Sequence, residues 1–168
     1  MKSISRRRSG RINRDRGMHM LTIREATAAD AGALQELYGK HLTRFPPVEL
    51  QDTAQWERLL ETFAANPDYH LFVGVADGRA VSSVTLVVIK NLTHHLRPYA
   101  VIENVVTHAD FRSRGFAAAL MERAGEIARE SGCYKIMLMT GSQREGTLRF
   151  YERCGFSRTE KTAFLKRL

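Results

Sequence analysis

Cysteine is scarce: there are two in 168 residues, Cys133 and Cys154, and neither has a partner at metal-ligand spacing. A disulfide framework and a structural zinc site are therefore not expected. No secretory leader is read in the first residues, and a reducing cytoplasm is the expected compartment. Long apolar runs are missing as well. A membrane span needs ~20 apolar residues, and the longest candidate, Val84 to Ile89, is the length of a buried strand. No lysine followed by Ser or Thr comes after a glycine-rich turn, and G-x-G-x-x-G does not occur, which argues against ATP and NAD as ligands. Internal repeats are absent too.

What is plentiful is positive charge, and it is unevenly placed. The segment "MKSISRRRSGRINRDRG" carries a net +6 of the chain's +8, leaving +2 for the other 151 residues. With almost no large apolar side chains, residues 1–18 are expected to form a mobile basic tail ahead of a single domain at 19–168. Met18 and Met20 directly precede the first structured-looking segment, so either can serve as the start. A basic arm for nucleic acid or an anionic membrane is the alternative use of the tail, disfavoured because the basicity stops there.

The remainder alternates between two periodicities. "LTIREAT" reads as a strand, and Leu34, Leu37, Tyr38, His41 and Leu42 recur at helical spacing, with Thr27 or Asp30 as cap. "RFPPVEL" breaks that helix, and Trp56, Leu59, Leu60 and Phe63 mark a second one from near Asp52, its aromatics read as core. "HLFVGVADGRAVSSVTLVVI" predicts a hairpin turning at Asp77-Gly78, and "YAVIENVV" a further strand. A helix after Gly115 with Leu120, Ala124, Ile127 and Ala128 on one face ends near Gly132. A strand over Tyr134 to Met139 covered on both faces, a short helix stopped by Gly155, and a closing strand over Ser157 to Leu165 complete the pattern. The order β-α-α-β-β-β-α-β-α-β predicts an α/β fold, a mixed sheet with helices on both faces.

The junction "VVTHADFRSRGFAAAL" ends a strand and begins a helix around Arg112-Ser113-Arg114-Gly115-Phe116-Ala117. The first amides of a helix have no intrahelical acceptors and sit at the positive end of its dipole, so such a turn suits a phosphate. Gly115 can take φ > 0 and has no Cβ, Ala117 keeps the first turn slim, and Arg112 and Arg114 add charge.

In this context the junction resembles the acyl-CoA signature of the GNAT superfamily of N-acetyltransferases, Arg/Gln-x-x-Gly-x-Gly/Ala, matched by Arg112, Gly115 and Ala117. "FYERCGF", from Phe150 to Phe156, resembles the superfamily's tyrosine helix, and the likeness runs from Leu21 to Leu168. Within the superfamily, the wording is similar to the glucosamine-6-phosphate and aminoalkylphosphonate N-acetyltransferases. It departs from the sugar-phosphate enzymes at Met139-Thr140-Gly141, where they carry an acidic residue, and at Arg144, where an asparagine is common.

The resemblance implies a GNAT fold of α/β (α+β) class, with a mixed, mostly antiparallel sheet of six to seven strands. It implies acetyl-CoA as co-substrate without a metal, a small amine acceptor and a homodimer. Val105, Val106 and Thr107 on a bulged strand would bind the pantetheine arm and polarise the thioester. Arg112, Ser113, Arg114, Gly115, Phe116 and Ala117 would hold the pyrophosphate. Tyr151 would be the acid that protonates the leaving thiolate, since a phenol's pKa of ~10 lies near a thiol's ~8.5; the other reading is a core aromatic.

Glu103 stands in an otherwise apolar strand, where burial would raise its pKa toward a useful base. The alternative is an edge carboxylate paired with Arg97. Asn104 either binds substrate or satisfies the bulge, and Arg97, in "NLTHHLRPY", would meet an anionic group on the acceptor. His94, His95 and His108 are not read as a metal cluster. The expected function is direct acetyl transfer from acetyl-CoA to a primary amine of a small molecule, phosphorylated amines included. The alternatives are a protein N-terminal or lysine acetyltransferase, which needs a groove between Pro46-Pro47 and the 91–99 loop, and a non-catalytic acyl-CoA module.

Overall fold

Asp77 and Gly78 both take positive φ, 52° and 73°, the conformation a two-residue hairpin turn demands, and they fold β2 (Tyr69–Ala76) onto β3 (Arg79–Ile89). In the computed structural model, which describes residues 20–42 and 52–168, this hairpin is the middle of a five-stranded sheet ordered β1-β2-β3-β4-β5. β1 (Thr22–Glu25) and β4 (Tyr99–Thr107) flank it antiparallel, and β5 (Ile136–Leu138) joins β4 in parallel. The expected basic tail and the Pro46-Pro47 break lie outside the described residues, and with them the peptide-groove reading.

Alternation along β2 distributes the core. Leu71 and Val73 meet Leu34, Leu37 and Leu60 of α1 (Ala31–His41) and α2 (Thr53–Ala64). Phe72, with Val84, Leu86, Ala100 and Ile102, meets Leu120, Met121, Ala124 and Ala128 of α3 (Phe116–Glu130) on the opposite face. Asp52 caps α2, its Oδ1 accepting from the Ala54 N–H at 3.0 Å. α4 (Glu145–Arg153) ends before Gly155, whose φ of 90° stops it as expected.

Two expectations fail together. The sheet has five strands, not six to seven, because residues 157–168 form no strand. A strand needs an edge to pair with. The edge here, β5, is three residues long, and Arg158 is held instead on α4 by Glu152 at 3.0 Å and Glu145 at 3.4 Å. Phe164 is left 92% exposed and Leu165 73%. For the same reason β5 is shorter than Tyr134–Met139 and only partly buried, not covered on both faces.

Asp30 turns its carboxylate back to receive Arg24 through both terminal nitrogens at 2.7 and 2.8 Å, and the Thr27 N–H at 2.8 Å. The Arg24 hydrogen bonds hold this carboxyl below the usual carboxylate range against the opposing effect of burial. Arg24 is itself 44% exposed, which limits the pair's worth. Asp30→Asn is expected to lower stability by about 1–2 kcal/mol at neutral pH. Because the folded pKa is depressed, that contribution is present above the ordinary value of about 3.9 and is lost as pH falls through the lowered one. Denaturant titrations of both proteins at neutral and strongly acidic pH check this: the gap should close in acid, and a constant gap would contradict it.

Candidate active site

The pairing of β3 with β4 slips by one residue midway. Ser83 faces Val106 and Thr85 faces Glu103, so Asn104 and Val105 together oppose Val84. That is a β-bulge, and Asn104 takes the left-handed conformation, φ 53°, which asparagine tolerates better than most residues. A bulge removes backbone groups from the ladder and aims them elsewhere. Beyond Ile102 and Leu138, the last paired residues, β4 and β5 no longer bond, so the bulged half of β4 borders an opening in the sheet.

A cleft of about 610 Å³ occupies this opening. Its walls are Val105, Val106 and Thr107 from β4, residues 111–113 and 115–118 of the junction, and Gly146, Thr147, Phe150, Tyr151 and Arg153 from α4. The junction turns through two left-handed residues, Ser113 at φ 59° and Gly115 at φ 84°. A Cβ built on Gly115 would meet no atom within 4 Å, so its Cα looks into open cleft. Phe116 is buried against Ala76 and Val81 and anchors the start of α3. The first helical hydrogen bond runs from the Ala119 N–H to the Gly115 carbonyl at 3.0 Å. The amides of Phe116, Ala117 and Ala118, all cleft residues, precede it and have no intrahelical acceptor. Such amides and a helix dipole favour an anion.

Arg112 lines the cleft, its Nε donating to the Thr107 carbonyl at 3.2 Å, and Ser113 joins it. Arg114 does not line it; its guanidinium lies 5.1 Å from the centroid of the Phe111 ring.

Tyr151 comes to the cleft from α4, half-buried between Phe150, at 5.1 Å, and Phe156, at 6.5 Å between centroids. Burial, with Cys154 and Glu103 adding to it, pushes the phenol above its ordinary pKa, so it stays protonated. Burial also raises both thiols, Cys133 and Cys154, which keeps them un-ionised and poor nucleophiles.

Glu103 departs from expectation: it is exposed. The apolar neighbours in sequence do not cover it because β5 has already ended opposite Ile102. It does not pair with Arg97 either. Arg97 donates to the Gly132 and Cys133 carbonyls at 3.2 and 3.3 Å, before the start of β4. It is seven positions from Asn104, on the order of 20 Å along a strand, so the structure does not bring it to the bulge. His94, His95 and Leu96 form a left-handed turn near Arg97, with His94 stacked 3.9 Å from Tyr134. His108 is elsewhere, 4.3 Å from His41 between ring centroids. Among the described residues no cluster of His, Cys, Asp and Glu could hold a metal ion.

A second recess, about 290 Å³, opens on the other side of the bulge. Asn104 lines it while the next residue, Val105, lines the first cleft. Tyr38, Trp56, Phe63, Tyr69 and Thr85 form its walls. Sequence reasoning assigned Trp56 and Phe63 to the core, and they pack against it while also bordering this recess. The signal that distinguishes them is the polar run Ser82, Ser83 and Thr85, buried inside an otherwise apolar β3.

A bulged strand splayed from its neighbour, a helix-start turn with unpaired amides and a tyrosine helix border one cleft. Residues 34–156 match the Acetyltransferase (GNAT) family. The chain belongs to that family. Glucosamine 6-phosphate N-acetyltransferase of Trypanosoma brucei brucei is 34% identical over 144 residues, 84% of this chain and 92% of that protein. A putative acetyltransferase from Agrobacterium tumefaciens superposes with a TM-score of 0.80 at 37% identity, over 88% of this chain and 99% of that one. Glucosamine-6-phosphate N-acetyltransferase from Arabidopsis thaliana, at 22% identity and TM-score 0.76 over 89% and 98%, shares the fold. This GNAT acetyltransferase thus has Arg112, Gly115 and Ala117, which resemble the family's signature, on the wall of its larger cleft. No helix among the described residues is long and apolar enough to cross a membrane.

Proposed function

We propose that this N-acetyltransferase binds acetyl-CoA in the larger cleft and passes the acetyl group directly to the primary amine of a small molecule. Phosphorylated amino sugars are the first acceptors to test, given the names of its relatives. The bulge at Asn104–Val105 carries the reading, since it frees backbone donors beside the opening between β4 and β5.

The pyrophosphate would rest on the amides of residues 115–118, with Arg112 and Ser113 at its side. The pantetheine arm would follow Val105, Val106 and Thr107 as an added strand. The amine nitrogen attacks the thioester carbonyl carbon, and the negative charge that develops on oxygen is met by bulge amides. As the C–S bond breaks, sulfur takes the electron pair and the proton of Tyr151. The proton lost by the amine goes to Glu103, directly or through water; its exposure leaves that carboxylate open to solvent exchange. Asn104 borders the acceptor's side. The raised thiol pKa values support a route without an acetyl-cysteine.

A homodimer in the cytoplasm completes the proposal. Exposed Phe164, Leu165 and Leu168 on the last segment support a second copy, since a single domain seldom leaves such side chains uncovered together. The test is thiol release from acetyl-CoA in the presence of amino sugars, their phosphates, aminophosphonates, polyamines and peptides. Turnover with a small amine is expected. Turnover with peptides alone would overturn the reading.

A further inference from the structure

Of the hydroxyl residues buried in β3, Ser83 and Ser82 face opposite ways. Ser83 meets the Tyr38 hydroxyl of α1 at 3.1 Å. Ser82 lies on the α3 side: a Cβ added at Gly74, its register partner in β2, would stand 3.4 Å from the Ser82 Cβ and 3.0 Å from Leu120 of α3. Leu21 closes over the same spot, and Ser82 is 0% exposed. A hydroxyl taken out of water in such a place is a cost unless it is bonded, and alanine would fill the position without that cost. Ser82 is bonded twice. Its Oγ donates to the Val106 carbonyl at 2.8 Å and lies 2.8 Å from the Thr107 Oγ1. A hydroxyl has one hydrogen to give. With the Ser82 hydrogen on the carbonyl, the second bond is donated by Thr107, whose hydroxyl then has only lone pairs left to offer.

We infer that Ser82, which does not itself line the cleft, is a positioning residue for the cofactor wall. It pins the bulged strand through the Val106 carbonyl and turns the Thr107 hydroxyl into an acceptor for an amide N–H of the pantetheine arm. The inference rests on the acetyl-transfer reading. Position supports it: Val106 is the first residue of β4 to pair with β3 again past the bulge, opposite Ser83, so a bond to its carbonyl holds the strand where the ladder resumes. Thr107 comes next and lines the cleft. Its carbonyl accepts from the Arg112 Nε at 3.2 Å. The path from Val106 through Ser82 and Thr107 to Arg112 therefore ties the strand that would carry the arm to the turn that would carry the pyrophosphate. Polarity supports it as well. A pantetheine arm carries amide N–H groups, and a hydroxyl that can only accept suits them. Directional bonds of this kind matter where a small displacement spoils the alignment of donors with a thioester.

The full-length protein is titrated calorimetrically with CoA and with adenosine 3′-phosphate 5′-diphosphate, which is CoA without its arm, and thiol release from acetyl-CoA is followed separately. Ser82→Ala and Thr107→Val should each weaken CoA by about fivefold or more and change the affinity of the armless nucleotide by less than about twofold. The double variant should lose no more than the weaker-binding single one, because both substitutions break the same chain of bonds. Thr107→Ser keeps the hydroxyl and should recover most of what Thr107→Val loses. Equal weakening of CoA and the armless nucleotide, which a merely structural role would give, would overturn the inference. So would additive losses in the double variant, an unchanged CoA affinity in Ser82→Ala, or Thr107→Ser binding as poorly as Thr107→Val. Thermal midpoints show whether each variant is folded. Should Ser82→Ala fail to fold, the two Thr107 variants decide alone, since that residue is only partly buried. If CoA binds in the expected pattern but no amine releases thiol from acetyl-CoA, the inference stands and the acetyl-transfer reading falls; if the unaltered protein binds neither ligand, both fall.

Discussion

Replacing Tyr151 by phenylalanine is expected to lower kcat by about 10² or more, with acetyl-CoA affinity almost unchanged. The ring keeps its contacts with Phe150 and Phe156, so the cleft wall survives. Only the donor is lost. A hydrogen bond to the departing sulfur matters most in the transition state, where negative charge has built up, so its removal appears in kcat and not in ground-state binding. The phenol's pKa is raised chiefly by burial, with Cys154 and Glu103 contributing. A raised value keeps the O–H in place as pH climbs. Wild-type kcat should therefore show no decline from loss of this proton below the ordinary phenol value of about 10, and the residual activity of Tyr151→Phe should lack any such limb at higher pH. Glu103→Gln should act at the other end, lowering kcat/KM by removing the group proposed to take the amine's proton. Near-normal kcat in Tyr151→Phe would remove the acid assignment, and an unchanged kcat/KM in Glu103→Gln would remove the base.

Gly115→Val is expected to weaken acetyl-CoA binding by tenfold or more, a larger loss than Arg114→Ala, which should cost no more than a few-fold. Two effects add at position 115. Its φ of 84° is one that β-branched residues rarely adopt, and its missing Cβ faces open cleft. A valine there both strains the turn and stands where the pyrophosphate must approach the amides of residues 116–118. Arg114, by contrast, lies over Phe111 and outside the cleft. Calorimetric titration of both variants with acetyl-CoA, alongside their thermal midpoints, separates lost binding from lost fold. Equal or reversed losses would mean that arginine charge, and not the backbone, holds the anion.

How far the sequence alone reaches depends on whether a feature is local. The Asp77-Gly78 hairpin, the start of α2 near Asp52 and the left-handed Gly115 are set by a few adjacent residues, and each stands where those residues put it. The bulge followed from family likeness, and the structure places it at Asn104–Val105. Features that depend on a distant partner were not legible. Glu103 is exposed because β5 stops at Leu138, some 35 residues along the chain. The segment from Ser157 to Leu165, expected as a closing strand, forms none, and ion pairs of Arg158 hold its start to α4. Arg97 caps carbonyls after α3 because the 91–98 turn folds toward Gly132 and Cys133, not toward the bulge. Trp56 and Phe63 pack against the core as their helical spacing indicates, but that spacing does not show the recess they also border, which depends on the gap between α2 and the sheet.

Direct transfer is the central claim, and a single-turnover experiment tests it most directly. Enzyme in excess is mixed with acetyl-CoA and glucosamine 6-phosphate, free thiol is followed with time, and both the quenched small molecules and the intact protein are weighed by mass spectrometry. The account predicts one N-acetylated amine for each thiol released, appearing at the same rate, with no protein gaining an acetyl group and no thiol released when the amine is left out. A burst of thiol without amine, accompanied by acetylated protein that later donates to the amine, would contradict it.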